Sequence, residues 1–276
     1  MKRFWQGLRW GVFALAAFVL NFPLLATLAT AFKSPAEITA NPGLWVHAPT
    51  LANFQTVMTV SDRLNVYHHL ANSLVAATIG AVLPILICFP IAWAMARRGV
   101  GQGVLFALVV NLRAMPLVIF AIPLYVMFRA LGLLDTQLGL GLILAVVNTP
   151  LALLLLLQAV RELPLELEEA ARMDGARLGR ILTRVVLPLC RPAIITTFVF
   201  GFITAWNEFL FGLMLTTRDA VPMTVGASFF FAAGGGGVQW GVAAAVIVVA
   251  ALPPLVLGLV LYRRISGSMV AGAVKG

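Results

Sequence analysis

Charge is what this chain has least of. Only 11% of its 276 residues are Asp, Glu, Lys or Arg, less than half the roughly 25% usual in soluble domains. Ten residues are acidic, three are histidine and two are cysteine. Each scarcity closes off a class of function. Cys88 and Cys190 show no Cys-x-x-Cys and no Cys/His spacing, so neither a disulfide framework nor a thiolate metal site is expected. His47, His68 and His69 have no further ligands around them in the sequence, and the adjacent pair reads as a polar cap at the mouth of a membrane span. No paired carboxylates and no nucleophile–base set stand out, so no catalytic residue is assigned and the chain is not expected to be an enzyme. A phosphate-binding Walker loop needs Gly-Lys-[Ser/Thr], yet Lys2, Lys33 and Lys275 follow Met, Phe and Val. No cofactor of its own is expected.

What the chain has is apolar length. It is 61% hydrophobic with a mean hydropathy of +1.00, more apolar surface than one globular core can hide. The alternative solvent is a bilayer, which takes about 20 apolar residues in a helix to cross. Six runs qualify: 11–32, 69–95, 103–128, 138–160, 192–215 and 240–262. In lipid every backbone polar group must be paired within the segment, which demands helices, and the alternating ten-residue segments of a barrel are absent. The expected fold is all-α: one polytopic domain, 1–276, of six membrane helices. The first run, at about 20 residues, exceeds the 7–15 of a cleaved signal's apolar region, so it is expected to stay as an anchor.

The basic residues are unevenly placed. With the N-terminus inside, one side collects Lys2, Arg3, Arg9, Arg97, Arg98, six arginines from Arg161 to Arg191, Arg263, Arg264 and Lys275. The other side holds Lys33, Arg63, Arg129 and Arg218. Such asymmetry puts the basic side in the cytoplasm, with both termini and the 161–191 loop. The formal net charge of +9 is thus a topology signal, and nucleic acid is not an expected partner. The longest outer loop, 33–67, with Pro35, Pro42 and Pro49, is expected to be mostly irregular, with one short helix near 51–57. The run Gly234 to Gly237 reads as a mobile turn.

The loop 161–191 is the long polar interruption; residues 161–190 hold five of the ten acidic residues and five of the nineteen basic ones. Pro164 suits a first helical position, Glu166, Glu168 and Glu169 favour the positive end of a helix, and Glu168 stands four residues before Arg172 in the favourable order. Gly175 is placed to end that helix in the left-handed conformation. A second helix is expected from Ala176 to about Val185, with Arg177, Arg180 and Arg184 on one face and Leu178, Ile181, Leu182 and Val185 on another, closed by Leu187-Pro188. Spacing alone leaves two readings open, a docking surface for a soluble partner or an ordinary solvated hairpin.

Glu169-Ala170-Ala171, three residues, Gly175, nine residues, then Val185-x-Leu187-Pro188 matches the pattern E-A-A-x3-G-x9-I-x-L-P, with Val for Ile. This resembles the EAA loop of permeases in binding-protein-dependent ABC importers. Lys33-Ser34-Pro35-x-Glu37, Ile122-Pro123-Leu124-Tyr125, Leu131-Gly132-Leu133-Leu134-Asp135-Thr136, Ala205-Trp206-Asn207-Glu208-Phe209 and the terminal Gly272 to Gly276 are similar to the carbohydrate type, most of all to the smaller permease subunit of the maltose-transporter type. The resemblance covers nearly the whole chain. It implies a second, homologous permease subunit, a cytoplasmic ABC ATPase dimer that binds the ATP, an external solute-binding protein, a carbohydrate as cargo, and a place in the bacterial cytoplasmic membrane. It makes Glu169, Ala170, Ala171 and Gly175, with Val185, Leu187 and Pro188, the residues that couple to the ATPase, and it brings Met269 to Gly276 near that interface.

Polar groups inside spans are costly and usually face a cavity or a partner. Arg113, about 15 Å into the third span, and Trp206, Asn207 and Glu208 in the fifth are candidates for the translocation path; Arg113 and Glu208 could pair there, or form a structural ion pair instead. Trp206 could stack on a sugar or pack between helices. Pro116 and Pro123 should kink the third span. The rival function is a stand-alone secondary transporter or channel for a polar solute. That rival predicts inverted repeats and mid-membrane carboxylates, and Glu208 is the only such carboxylate.

Overall fold

The computed structural model describes residues 2–61, 64–116, 118–231 and 237–273, with side chains for 5–61, 64–112, 115–116, 118–231 and 237–261. Every regular element among the described residues is helical. The chain divides into two compact units, 1–67 with 226–252, and 68–225 with 253–276.

The first unit holds α1 (Lys2–Ala31), α2 (Pro35–Ala40), α3 (Ala52–Met58) and the start of α14 (Trp240–Ala273). α3 lies where a short helix is expected and most of the other described loop residues are irregular, but α2 is a second helix, not expected from the sequence. Ser34 caps α2 by accepting the Glu37 N–H at 3.2 Å, with Pro35 at the first helical position. The Glu37 carboxylate accepts the backbone N–H of His47 at 2.6 Å and of Ala48 at 3.4 Å. Lys33 is buried, its ammonium donating to the carbonyls of Asn41, at 2.7 Å, and Gly43. Asn53 donates to the carbonyls of Ala31 and Lys33 at 2.9 and 2.8 Å. A buried charge survives only when paired or well hydrogen-bonded, so these polar clamps replace the apolar core that a loop of this composition cannot build.

The second unit is built on α4 (Val66–Arg98), α7 (Gln137–Arg161) and α11 (Arg191–Trp206). Lipid is as apolar as leucine, so these helices are held by close packing and a few polar bonds rather than by escape from water. Asn148 supplies the polar bonds: its amide donates to the carbonyls of Gly80 on α4 at 2.9 Å and of Gly201 on α11 at 2.8 Å. Below it, toward the ends of α4 and α7, Phe89, Trp93, Met95, Leu153, Leu156, Leu157 and Val160 form a buried cluster.

The expected third span is broken. It consists of α5 (Val104–Ala114) and α6 (Val118–Ala130), and Met115 between them is extended at ψ 136°, as a residue preceding proline must be. Pro116 therefore interrupts the helix, while Pro123 lies inside α6. The expected fifth span also divides, into α11 and α12 (Leu210–Leu215). Four helices among the described residues are long and apolar enough to cross a membrane, Trp5–Ala31, Val66–Arg98, Gln137–Arg161 and Trp240–Leu261. A fifth is reached when Leu178–Leu189 and Arg191–Trp206, bent by 73°, are taken as one.

Between α6 and α7 the motif Leu131 to Thr136 makes a clasp. Asp135 has φ +54°, uncommon for a residue with a Cβ. Its carboxylate accepts the N–H groups of Thr217, Arg218, Asp219 and Ala220 at 3.0–3.2 Å and the Thr217 hydroxyl at 2.9 Å. Thr136 caps α7 by accepting the Gly139 N–H at 2.9 Å. A Cβ on Gly139 would lie 2.1 Å from the Leu133 carbonyl oxygen, so only glycine fits. The clasped segment is also tied to α4: Asn72 donates to the carbonyls of Asp219 and Val221, the His69 ring lies 3.1 Å from the Val221 carbonyl, and Ser73 accepts the Met223 N–H. His69 is thus buried against backbone rather than capping a span's mouth in water.

Candidate functional site

The polar loop folds into a helical hairpin. α8 (Glu166–Met173) carries Glu166, Glu168 and Glu169 in its first turn, where the exposed N–H groups attract carboxylates. Pro164 stands before the helix, and Leu165 is its cap, so the proline does not open α8 as its residue type suggests. Gly175 takes φ +76°, the left-handed conformation that stops α8, and a Cβ there would meet no neighbour but would strain the backbone.

The return arm is longer than the sequence implies. α9 (Leu178–Ile181) runs through a π-helical turn (Leu182–Val186) into α10 (Leu187–Leu189). Leu187-Pro188 therefore does not close the arm. Pro188 lies within this continuing arm, just after the π-helical turn, and the chain bends only at Cys190, into α11. Ile181, Val186 and Cys190 enter the buried cluster of α4 and α7, with Leu182 partly buried against it. Arg177, Arg180 and Arg184 are exposed as expected, but so is Leu178, and Val185 is only half-buried; of the expected apolar face Ile181 and Leu182 reach the cluster.

α8 is anchored differently. Glu168 is 2% exposed. Its Oε1 accepts the Arg97 Nε–H at 2.7 Å, and its Oε2 accepts the indole N–H of Trp93 at 2.9 Å. Arg172 Nη2 stands 3.7 Å from Oε2, so the i,i+4 pair seen in the sequence exists but is the weaker of the two. Arg97 also donates to the Leu163 carbonyl at 2.9 Å, and the Arg98 guanidinium lies 5.2 Å from the centre of the Trp93 ring. Sequence reasoning missed this anchor. The available signal was a basic pair ending a span, facing a run of carboxylates in which the pattern singles out only Glu169.

With Glu168 turned in, successive steps of 100° turn Glu166, Glu169, Ala170 and Met173 outward. Glu169 and Ala170 are exposed, Ala171 is half-buried, and Met173 is 89% exposed. Gly175 and Leu187 are also exposed, with Val185 and Pro188 half-buried. The structure thus brings the pattern residues onto one hairpin, with its Glu-Ala edge free.

The other candidates whose side chains are described, Trp206, Asn207 and Glu208, are each engaged within the helices around them. Trp206 is 3% exposed and stacks on Phe202, ring centres 5.6 Å apart, the packing alternative of the two open in the sequence. Asn207 ends α11, its amide donating to the Ile203 carbonyl. Both Glu208 oxygens accept backbone N–H groups, from Leu210 at 3.0 Å and Phe211 at 2.9 Å, so the carboxylate starts α12. The side chain of Arg113 and residues 262–276 lie outside the described side chains. An apolar cavity of about 380 Å³, lined in part by Leu124, Val146, Pro150, Thr204 and Phe211, adjoins the break between α11 and α12.

Known proteins are similar to this chain in sequence and in fold. Residues 86–271 match the family described as "Binding-protein-dependent transport system inner membrane component". The sulfoquinovosyl glycerol transport system permease protein of Agrobacterium fabrum is 32% identical over 92% of this chain and 89% of its own. The diacetylchitobiose uptake system permease protein DasC of Streptomyces coelicolor is 31% identical over the full length of both. In fold, the chain is similar to a chain in the crystal structure of a bacterial ABC transporter involved in the import of the acidic polysaccharide alginate, with a TM-score of 0.77 at 20% identity, over 95% of this chain and 96% of that one. The matched region contains the hairpin and its buried anchor, and the chain belongs to the family of inner-membrane components of binding-protein-dependent transport systems.

Proposed function

We propose that this chain is the half-pore of a carbohydrate ABC importer, moved by an ATPase that docks on the 161–191 hairpin. The observation that carries the reading is the exposed Glu169-Ala170 edge of a hairpin otherwise bound firmly to α4 and α7. A loop that served only as a solvated connection would have no need of so rigid a mount. Cargo is assigned as a sugar, oligosaccharide or sugar alcohol because full-length relatives are named for glycoside and disaccharide uptake. A solute-binding protein delivers it on the outer side, and a second, homologous permease completes the pore.

In this reading the chain crosses the membrane six times, α5 with α6 forming the third pass and α11 with α12 the fifth. The arginine-rich hairpin and both termini face the cytoplasm. Glu169, Ala170, Ala171 and Gly175 meet the ATPase, while Val185, Leu187 and Pro188 shape the return arm. For Trp206, Asn207 and Glu208 the internal bonds favour a structural role: they hold the α11–α12 break beside the apolar cavity rather than offering free polar groups to a sugar. The test is purification in mild detergent followed by reconstitution. A cytoplasmic ATPase copurifies, and labelled oligosaccharide enters proteoliposomes only with ATP and the solute-binding protein. Uptake by this chain alone, without ATP, would instead establish a secondary transporter.

A further inference from the structure

α8 is held on the molecule almost without apolar contact. Its one buried side chain is Glu168, and of its neighbours only Leu163, Ala171 and Ala176 pack partly against the cluster. Leu165, Leu167 and Met173 are exposed. An eight-residue helix has no stability of its own in water, and on its far side it ends in the left-handed turn at Gly175. What fixes α8 in place is the frame in which Glu168 receives Arg97 and Trp93, while Arg97 also holds the Leu163 carbonyl just before the helix.

We propose that Arg97, Glu168 and Trp93 form the joint through which hairpin movement becomes movement of α4. They are positioning residues, acting through α8 without touching ATP or cargo. The inference rests on the coupling reading of the hairpin given above. Apolar side chains in contact can slide past one another at little cost. A buried carboxylate with both oxygens taken by donors of fixed direction cannot, because slippage would strand a charge away from water. The ends of α4 and α8 are therefore locked in register, and a push on Glu169 and Ala170 reaches α4 undiminished.

The experiment uses the whole transporter, with spin labels on Met173→Cys of α8 and Leu86→Cys of α4, both exposed; the native thiols Cys88 and Cys190 are buried. In the parent the label-to-label distance is the same in the nucleotide-free and ADP–vanadate-trapped complexes, since α8 and α4 move as one. In Glu168→Gln the ATPase still copurifies, but trapping shifts the distance, and stimulation of ATP hydrolysis by the solute-binding protein falls about tenfold, within the roughly 5–150-fold range of couplings between sites. Trp93→Phe gives a smaller change of the same kind. Arg97→Met with Glu168→Leu restores packing without charge, and it too shows the trapped-state shift; this pair decides the matter if Glu168→Gln does not accumulate. An unchanged distance with parental stimulation in the double variant would overturn the joint. An ATPase that never copurifies with the parent would defeat the coupling reading itself.

Discussion

An arginine at position 170 strips the ATPase from this permease while leaving the permease folded. Ala170 lies two residues beyond the inward-facing Glu168, a turn of about 200°, and is exposed. The substitution meets nothing within the chain, and surface changes of this sort usually alter stability by no more than about 0.5 kcal/mol. In the complex the same side chain must enter a surface shaped for a methyl group. Introducing a long cation into a packed contact costs on the order of 2–4 kcal/mol, or roughly 30- to 1000-fold in affinity. Ala170→Arg should therefore run as a monodisperse protein with parental thermal stability but without copurifying ATPase, and membranes carrying it should show no ATP-driven uptake. Ala170→Gly removes only the methyl group and should retain both. A full complement of ATPase on Ala170→Arg would mean that the hairpin's Glu-Ala edge is not the contact.

Asp135→Asn loosens the clasp between the 131–136 turn and the 217–220 segment, and does so in a pH-dependent way. Burial opposes ionisation of Asp135, but the N–H groups of Asp219, Thr217 and Ala220 and the Thr217 hydroxyl outweigh it and hold the carboxyl down at about 2. A group whose folded pKa is depressed contributes stability above its unfolded value, here the usual carboxylate range of about 3.9, and loses that contribution as pH falls toward the folded value. The clasp is thus complete at neutral pH and weakens between about pH 4 and pH 2. Asparagine offers one acceptor and an amide that must face donors. Most of the N–H groups can turn to water, so the loss at neutral pH is about 1–2 kcal/mol, the low end for bonds to a charged acceptor. Thermal unfolding in detergent should show the parent above Asp135→Asn at pH 7 and the two converging toward pH 2. A gap that persists unchanged at low pH would show that the charge is not what holds the turn.

Much of this was legible in the sequence, and the misses share a physical cause. Apolar length located the four long apolar helices because it needs no tertiary information. The turn at Gly175 and the acidic first turn of α8 were readable because they depend on local backbone chemistry. Continuity was not. Pro116 breaks a helix while Pro84, Pro90, Pro123 and Pro150 lie within helices, since neighbouring helices can satisfy the groups a proline frees. Pro188 likewise fails to end its arm because Cys190, two residues on, is where the bend occurs. The outer loop carried a capping signal in Ser34-Pro35-x-Glu37 that its other prolines obscured. Glu168 was overlooked because its partners, Trp93 and Arg97, are about seventy residues away, and only packing shows which of three neighbouring carboxylates turns inward. Glu208 and Trp206 stand out in the sequence by residue type alone, which does not reveal the backbone N–H groups that the Glu208 carboxylate accepts or the stacking of Trp206 on Phe202.

The central claim is that the hairpin is the ATPase contact on the cytoplasmic face. Site-directed cross-linking tests it most directly. A maleimide cross-linker on Ala170→Cys should join this chain to the ATPase in right-side-out vesicles only after the inner face is opened, while Trp45→Cys, exposed in the outer loop, should react from outside and capture no ATPase. Labelling of position 170 from the outside, or capture of the ATPase through position 45 instead, would contradict the account.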